Sequence, residues 1–122
     1  MKQGLDEVIH LRDGTRAHYK GGALHRLDGP AVEKPDGSQR WYVEGQIHRD
    51  DGPAIITKGY VSKWYRRNKL HREDGPAIVF DERDDSLKSD RWYFNGHRIN
   101  VRNINEFKEA IRIYLIEEIM TQ

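Results

Sequence analysis

The sequence predicts a mainly β protein, an antiparallel meander of short hairpin repeats followed by one C-terminal α-helix. A seven-residue segment that begins His-Arg and ends Asp-Gly-Pro-Ala recurs at intervals of 23 residues. It occupies residues 25–31, 48–54 and 71–77. A Trp-Tyr pair keeps this interval at residues 41–42 and 64–65 and returns at 92–93. A fixed period of this length is typical of stacked supersecondary units. Near the end of the chain, apolar residues recur every three or four positions, which is the period of a helix.

Residues 31–53 show how one copy is expected to fold. A short apolar strand leads into the turn at 35–38, where proline presets φ and Asp-Gly tolerates positive φ. Residues 39–44 are rich in β-formers and predict a second strand. Gly45 begins a reversal that residues 48–52 complete. Each copy is therefore expected to be one hairpin and a patterned return loop.

Four copies account for most of the chain, which we predict to be a single domain. In the first copy His18-Tyr19 replaces the Trp-Tyr pair, and in the third copy Asn68 replaces the glycine of the return. The fourth copy has a longer turn, Asp81–Ser89, and loses the His-Arg motif after Gly96. The predicted repeats span about 8–30, 31–53, 54–76 and 77–100, and the predicted helix spans about 104–120.

The terminal helix is expected to begin with Asn105 as N-cap and with glutamates in its first turn. Its wider apolar stripe is expected to cap the sheet. This stripe consists of Ile104, Phe107, Ala110, Ile111, Tyr114 and Leu115. A narrower stripe on the opposite side is a candidate dimer seam, formed by Ile113, Ile116 and Met120. Alternatively, the narrower stripe packs under the Asp81–Ser89 loop.

A structural role explains most residues of the repeated seven-residue segment, which we call the corner. Its glycines suit positive φ or close backbone approach, its aspartates can bond the backbone two residues on, and its prolines stiffen the start of the next strand. The histidines are expected to bond the backbone or an aspartate and so lock the loop. The predicted structural turn residues are His25, Asp28, Gly29, Pro30, His48, Asp51, Gly52, Pro53, His71, Asp74, Gly75 and Pro76.

Metal binding and catalysis are weaker interpretations of the repeated histidines. Equivalent residues of successive copies should lie about 10 Å apart, twice the strand spacing of roughly 4.8 Å. Ligands of one zinc ion each lie only about 2 Å from it. A metal site would therefore pair one histidine with a nearby acid, such as His48 with Asp51. The chain has no cysteine, no nucleophile elbow and no phosphate-binding glycine loop. We predict no catalytic residue, no metal site and no cofactor.

Neighbouring Trp and Tyr residues point to opposite faces of a strand, so they form two files. One file is expected to be buried and the other at least partly exposed. Tyrosine and arginine dominate interface hot spots. The candidate partner-binding residues are Tyr42, Tyr65, Tyr93, Arg40, Arg66, Arg67 and Arg91. An alternative is that the aromatic ladder only stabilises cross-strand pairs.

Composition restricts the class of protein. The 122 residues carry a net charge of +1, which argues against a dedicated nucleic-acid binder without excluding a local basic patch. No apolar run approaches the roughly 18 residues of a membrane span, and the N-terminal residues lack the apolar core of a signal peptide. We therefore expect a cytoplasmic protein of a bacterial or infected host cell.

The repeats resemble the MORN class, specifically the variant MORN-type repeats of bacterial and phage proteins. The resemblance rests on the 23-residue period, the Asp36-Gly37-Ser38 turn before Trp41-Tyr42, and Gly45, and it covers residues 8–100. The chain departs from the family where His-Arg-x-Asp-Gly-Pro-Ala replaces a more glycine-rich stretch. The resemblance implies a twisted run of hairpins used for protein contacts and sometimes for lipid headgroups. Some similar bacterial proteins are described as antitoxin-like partners of a toxin.

These observations favour a non-enzymatic protein-interaction module. We expect a phage- or bacterium-encoded inhibitor or antitoxin-like protein that blocks a partner such as a toxin or a host defence component, with a homodimer through the helix as a further expectation. The alternative is a binder of nucleic acid or anionic lipid. Its cationic surface would comprise Arg40, Lys63, Arg66, Arg67, Lys69 and Arg91. A small enzyme, a metal protein and a small-ligand binder remain open.

Overall fold

The structure, a computed structural model, describes residues 6–81 and 90–121. It confirms the predicted fold class, a mainly antiparallel meander of short hairpins with one C-terminal helix. The strands of the first half are β1 (Asp6–His10), β2 (Arg16–Lys20), β3 (Ala23–Leu24), β4 (Val32–Glu33), β5 (Gln39–Arg40), β6 (Tyr42–Val43) and β7 (Gln46–Ile47). The remaining elements are β8 (Ile55–Thr57), β9 (Val61–Lys63), β10 (Tyr65–Arg66), β11 (Lys69–Leu70), β12 (Ile78–Phe80), β13 (Trp92–Phe94), β14 (His97–Ile99) and helix α1 (Ile104–Met120).

The main sheet runs in the order β1-β2-β4-β5-β8-β9-β12, with β3 added to β2. Three smaller hairpins, β6–β7, β10–β11 and β13–β14, lie beside it. The division falls at the tryptophans: Trp41 lies between β5 and β6, and Trp64 lies between β9 and β10. The N–H groups of Trp41 and Trp64 still donate to the carbonyls of Ala54 and Ala77 in the next copy. The second and third copies therefore each give one hairpin to the main sheet and a second, smaller hairpin after the tryptophan.

The small hairpins stack through backbone bonds that repeat from copy to copy. Gly45 N–H donates to Leu24 O, and Asn68 N–H donates to Ile47 O, each at 2.9 Å. Asn68 adopts a φ of 67°, the left-handed conformation expected from its alignment with Gly45. Because equivalent residues make equivalent bonds, the copies are structural repeats as well as sequence repeats.

The core is thin, and the alanine at the end of each corner is buried in it. Ala31, Ala54 and Ala77 are all 0% exposed. Their carbonyls accept bonds from the preceding copy, so the backbones approach closely where only a small side chain fits. Larger apolar residues are buried at the C-terminal end of the sheet. They are Val61, Ile78 and Phe80, against which Leu70 and Tyr93 pack.

The N-cap of helix α1 lies two residues earlier than expected. The cap is Asn103, whose side chain accepts a 2.9 Å bond from Glu106 N–H, so the prediction of Asn105 was wrong. Asn103 has the extended backbone that an N-cap requires, and Ile104 already belongs to the first turn. The Glu106 carboxylate accepts from Arg102 N–H and completes an arrangement similar to a capping box.

The wider stripe of α1 covers the last repeat. Phe107 is 0% exposed and its ring lies 4.9 Å from that of Trp92, while Tyr114 packs edge-on against Phe94. Leu115 departs from the expectation because it is 46% exposed, on the rim of the contact. The narrower stripe is exposed. The alternative that this stripe packs under the long loop concerns residues 82–89, which lie outside the described residues. In the described part of the chain, no helix has the length and apolarity needed to span a membrane.

Candidate interaction surface

The repeated corner is built around its arginine. Arg49 stacks on Trp41 with its guanidinium carbon 3.8 Å from the ring centroid. Its Nε donates to Asp51 at 3.0 Å, and another guanidinium nitrogen donates to the Pro53 carbonyl at 3.1 Å. A Cβ on Gly52 would lie only 2.7 Å from the guanidinium carbon. Close approach, and not positive φ, therefore explains this glycine.

The third corner repeats this arrangement with Arg72 stacked on Trp64 at 3.9 Å. The first corner adapts it because His18 stands in the tryptophan position. There Arg26 lies 3.2 Å from His18 Nε2 and donates to Glu33 at 3.1 Å. The corner arginine is thus retained even where its aromatic partner is replaced.

The corner aspartates do not act as expected. Asp28, Asp51 and Asp74 accept bonds from the arginine two residues before them, at 2.8–3.0 Å. They cannot receive a bond from the residue two positions on, because that residue is proline and has no N–H. The hydrogen bond from Arg72 lowers the pKa of Asp74, and that from Arg26 lowers the pKa of Asp28.

The corner histidines link each copy to the next. The Nδ1 atoms of His25, His48 and His71 accept bonds of 2.9–3.1 Å from backbone N–H groups 19 to 24 residues later. The donors are Glu44, Arg67 and Asn95, all with positive φ at the tips of the small hairpins. Because Nδ1 accepts, the proton lies on Nε2. That atom lies 3.1 Å from Asp50 in the second corner and 3.0 Å from Glu73 in the third.

This arrangement leaves the histidines little capacity to bind a metal. Within residues 6–81 and 90–121, no group of three His, Asp or Glu side chains is placed to hold an ion. The bond to His71 lowers the pKa of Glu73, and the neighbouring Arg66 adds to the effect. The absence of a metal, a cofactor and a catalytic residue stays a prediction.

One face of the main sheet carries a row of cations at matching positions. The strand register places Arg40 opposite Ile55, Ile55 opposite Lys63, and Lys63 opposite Ile78, which in turn bridges to Arg91. Directly paired residues point to the same face. Arg40, Lys63 and Arg91 therefore recur on every second strand, about 10 Å apart.

A tyrosine follows each cation by two residues and belongs to the small hairpin that comes after the main-sheet segment. Tyr93 packs against the cluster around Ile78 and Phe80, which the register places on the side of Lys63. Burial raises the pKa of Tyr65, the nearby Tyr93 adds to the rise, and Arg40 opposes it. Tyr93 and Arg40 are therefore within electrostatic range of the Tyr65 hydroxyl. We define the tyrosine face as Tyr42, Tyr65, Tyr93, Arg40, Lys63 and Arg91.

Two predicted binding residues lie elsewhere. Arg66 donates to Glu73 at 3.0 Å, beside His71, and Arg67 occupies the tip of a small hairpin with a φ of 47°. Lys63 was predicted only for the alternative nucleic-acid or lipid surface and not for the protein-binding set, although a cation-Trp-Tyr triplet recurs in the sequence at 40–42, 63–65 and 91–93. Spacing relative to the tyrosines could have identified it.

The two aromatic files do not divide into one buried and one exposed set. Trp41, Trp64 and Trp92 are half-buried, and so are the tyrosines that follow them. Two of the tryptophans are covered by arginine and the third by Phe107. The tyrosines keep part of their surface accessible to a partner.

No protein-family model, no curated protein and no solved structure matches this chain. The hairpin array is therefore established by the structure and by the internal repeat.

Proposed function

We propose that the protein is a non-enzymatic interaction module of the variant MORN type, which binds and blocks another protein through the tyrosine face. Such a role suits a phage- or bacterium-encoded inhibitor or an antitoxin-like protein that acts on a toxin or a host defence component. The observation that carries the proposal is the unpaired state of the three cations. Arg40, Lys63 and Arg91 form no ion pair with any residue that the structure describes.

The pairing of other arginines gives this observation its weight. Each corner arginine bonds its own aspartate, Arg16 bonds Glu33, and Arg66 bonds Glu73. Arg12, Arg67 and Arg98 also lack an ion pair with a described residue, so the cations of the tyrosine face are distinguished by their row on one face of the sheet. Half-buried tyrosines beside them add apolar area at low entropic cost, and such groups are enriched at the centres of interfaces.

Affinity capture from bacterial lysate tests the proposal with two charge-matched variants. The first variant carries Arg40→Glu, Lys63→Glu and Arg91→Glu. The control carries Arg12→Glu, Lys58→Glu and Lys69→Glu, which change three exposed cations outside the tyrosine face. We expect one stoichiometric protein to be retained by the wild type and the control and lost by the first variant. Retention by all three proteins, or capture by none, would reject the proposal.

Nucleic acid is the second candidate partner, because unpaired cations interleaved with aromatic rings also suit a phosphate backbone with stacked bases. Anionic lipid would use the same cations. Three phosphate contacts would give a log–log salt slope of about −2.7 on duplex DNA. Fluorescence anisotropy with labelled single- and double-stranded oligonucleotides, and sedimentation with anionic vesicles, across a salt series test this candidate. Binding that is absent or insensitive to salt would exclude it.

A further inference from the structure

The hairpin array is covered at one end and open at the other. Helix α1 covers the last repeat, where Phe107 packs on Trp92 and Tyr114 packs on Phe94. At the opposite end β1 forms the edge of the main sheet, and β2 is its only neighbour in the described part of the chain. Arrays of stacked repeats need a capping element at their ends. The described residues supply one at the C-terminal end and none beside β1.

Strand β1 is a long and exposed edge. It has five residues, as β2 does, whereas the other strands in the described part of the chain have two or three. All five side chains are exposed, including Val8 by 46% and Ile9 by 43%. Natural edges are often protected by lysine, proline or a bulge, and β1 carries two acids but none of these. Such an edge is suited to pairing with another strand.

The backbone groups at alternate positions of β1 point to the free edge. His18, which lies opposite Val8, donates its N–H to Ala31 O at 2.7 Å, and its carbonyl accepts from His25 N–H at 2.9 Å. Both groups of His18 are thus directed away from β1, so Val8 and His18 form a non-hydrogen-bonded pair of the ladder. The N–H and carbonyl of Val8, and by alternation those two positions before and after it, therefore remain available to another strand.

We propose that the protein forms a two-fold dimer in which the β1 strands of two copies pair antiparallel, centred on Val8. In this register Val8 lies opposite Val8 of the second copy, and Asp6 lies opposite His10 of the second copy. All of these residues present their backbone groups outward, so each pair can exchange two hydrogen bonds. A shift of the centre by one residue would place Asp6 or His10 opposite a residue outside β1. The register centred on Val8 therefore uses the whole strand.

The charges on one face of β1 fit this register. Directly paired residues share a face, so the Asp6 carboxylate would meet the His10 imidazole of the second copy. On β2 of the same chain, Lys20 lies beside Asp6, and Arg16, which already bonds Glu33, lies beside His10. Neither Asp6 nor His10 forms an ion pair with a described residue of its own chain. Each Asp6 would therefore lie between a lysine and a histidine, with no acid directly opposite it.

The other face of β1 adds apolar contact without a directly opposed pair of like charges. Glu7 would lie opposite Ile9 of the second copy, and Ile9 has Ala17 beside it on β2. The two Glu7 carboxylates would be diagonal neighbours, about 7–8 Å apart. Both are exposed to solvent, so salt screens their repulsion.

A second copy accounts for the open end better than an unrelated strand does. The sequence of β1 is complementary to itself when it is reversed about Val8, because its acidic end then meets the histidine at its other end. The contact uses the same surface on both copies, so it closes at two chains. The resulting double array would have a helix α1 at each outer end. This pairing does not depend on the proposed function of the tyrosine face.

Proline at the centre of β1 tests the pairing. Val8→Pro removes an N–H that points to the free edge, so it should abolish the dimer and leave the β1–β2 ladder intact. Val8→Thr keeps this N–H and serves as the matched control. For the wild type and the control, we expect light scattering after size exclusion to show a concentration-dependent mass that approaches twice 14.4 kDa. Val8→Pro should keep the circular dichroism spectrum of the wild type and have the monomer mass.

A charge exchange tests the register at pH 7. Asp6→Lys would place a lysine opposite His10, and His10→Asp would place two acids opposite each other, so each variant alone should dimerise about tenfold more weakly than the wild type. An equimolar mixture should form the heterodimer with the affinity of the wild type, because each end then pairs an acid with a lysine or a histidine. This mixture decides the case if Val8→Pro alters the circular dichroism spectrum.

Three results would overturn the proposal. The first is a wild type that stays monomeric at millimolar concentration. The second is a folded Val8→Pro variant that dimerises as the wild type does, and loss of that dimer on combining Ile116→Glu with Met120→Glu would place the contact on α1 instead. The third is equal dimerisation of the two charge variants alone and in mixture, which would reject the antiparallel register.

Discussion

Replacing Gly52 by alanine should destabilise the protein because the added Cβ displaces the Arg49 guanidinium. The added Cβ would lie 2.7 Å from the guanidinium carbon and 3.0 Å from one of its nitrogens, so the end of the Arg49 side chain must shift from its place over Trp41. Gly52 does not have positive φ, so alanine brings no backbone strain of its own. The cost is therefore that of the contacts that Arg49 loses.

Those contacts set the magnitude. A partly exposed cation–π contact is worth about 0.5–1 kcal/mol, and a hydrogen bond from a charged donor to the Pro53 carbonyl about 1.5 kcal/mol. The bond to the highly exposed Asp51 adds little. Because the end of a flexible side chain can shift without losing every contact, we expect Gly52→Ala to lower the free energy of unfolding by at most about 2 kcal/mol, as measured by urea titration with circular dichroism.

A double-mutant cycle with Arg49→Ala checks the mechanism. Arg49→Ala removes the same contacts and should also cost about 2 kcal/mol, and Gly52→Ala should then add close to nothing. A Gly52→Ala variant as stable as the wild type would refute the close approach. A full cost that persists in the Arg49→Ala background would show that the alanine disturbs the backbone and not the arginine.

Three further predictions concern the end of the array. Phe107→Ala should cost about 3–5 kcal/mol because the ring is fully buried, and it should change the fluorescence of Trp92, which loses its cover. His71→Ala should cost about 1–3 kcal/mol, because the His71 side chain is only 3% exposed and its loss leaves the Asn95 N–H without an acceptor. In the same unfolding assay the cost should exceed that of His25→Ala. Since the pKa of Glu73 is lower in the folded state than its usual 4.5, its stabilising effect is present above that pH and is lost as the pH falls through the folded pKa. The wild type should therefore lose more stability than Glu73→Gln between about pH 5 and 3, and parallel pH profiles would contradict this assignment.

The hairpin repeats were predictable because the residues that form them recur in three copies. The Asp36-Gly37 turn and the Trp41-Tyr42 strand each specify their own conformation within a few residues. Their recurrence every 23 residues then predicts the stacking. The recurrence of a tyrosine two residues after each cation is also visible in the sequence. The same spacing selects Lys63, and the strand register then separates it from Arg66, which pairs with Lys69 in a small hairpin.

The corner chemistry could not be predicted in the same way. Asp51 was expected to bond the backbone and fix the turn. In the structure its carboxylate accepts a hydrogen bond from Arg49, whose position depends on the Trp41 ring eight residues earlier. The choice of Asn103 over Asn105 as N-cap similarly depended on where the chain leaves the last strand. The proline two positions after Asp51 does exclude the expected bond, but the sequence does not identify Arg49 as the partner. At the helix start two asparagines compete, and sequence spacing does not rank them.

The sequence by itself determined the repeat length, the mainly β class, the terminal helix and the residues that carry charge and aromatic area. Only the tertiary structure decided that each histidine bonds the following copy, that Phe107 covers the last tryptophan, and that apolar surface remains at both ends. The physical reason is distance along the chain. Turns and strands arise from neighbours, whereas these contacts join groups 15 to 24 residues apart, which meet only after the hairpins have stacked.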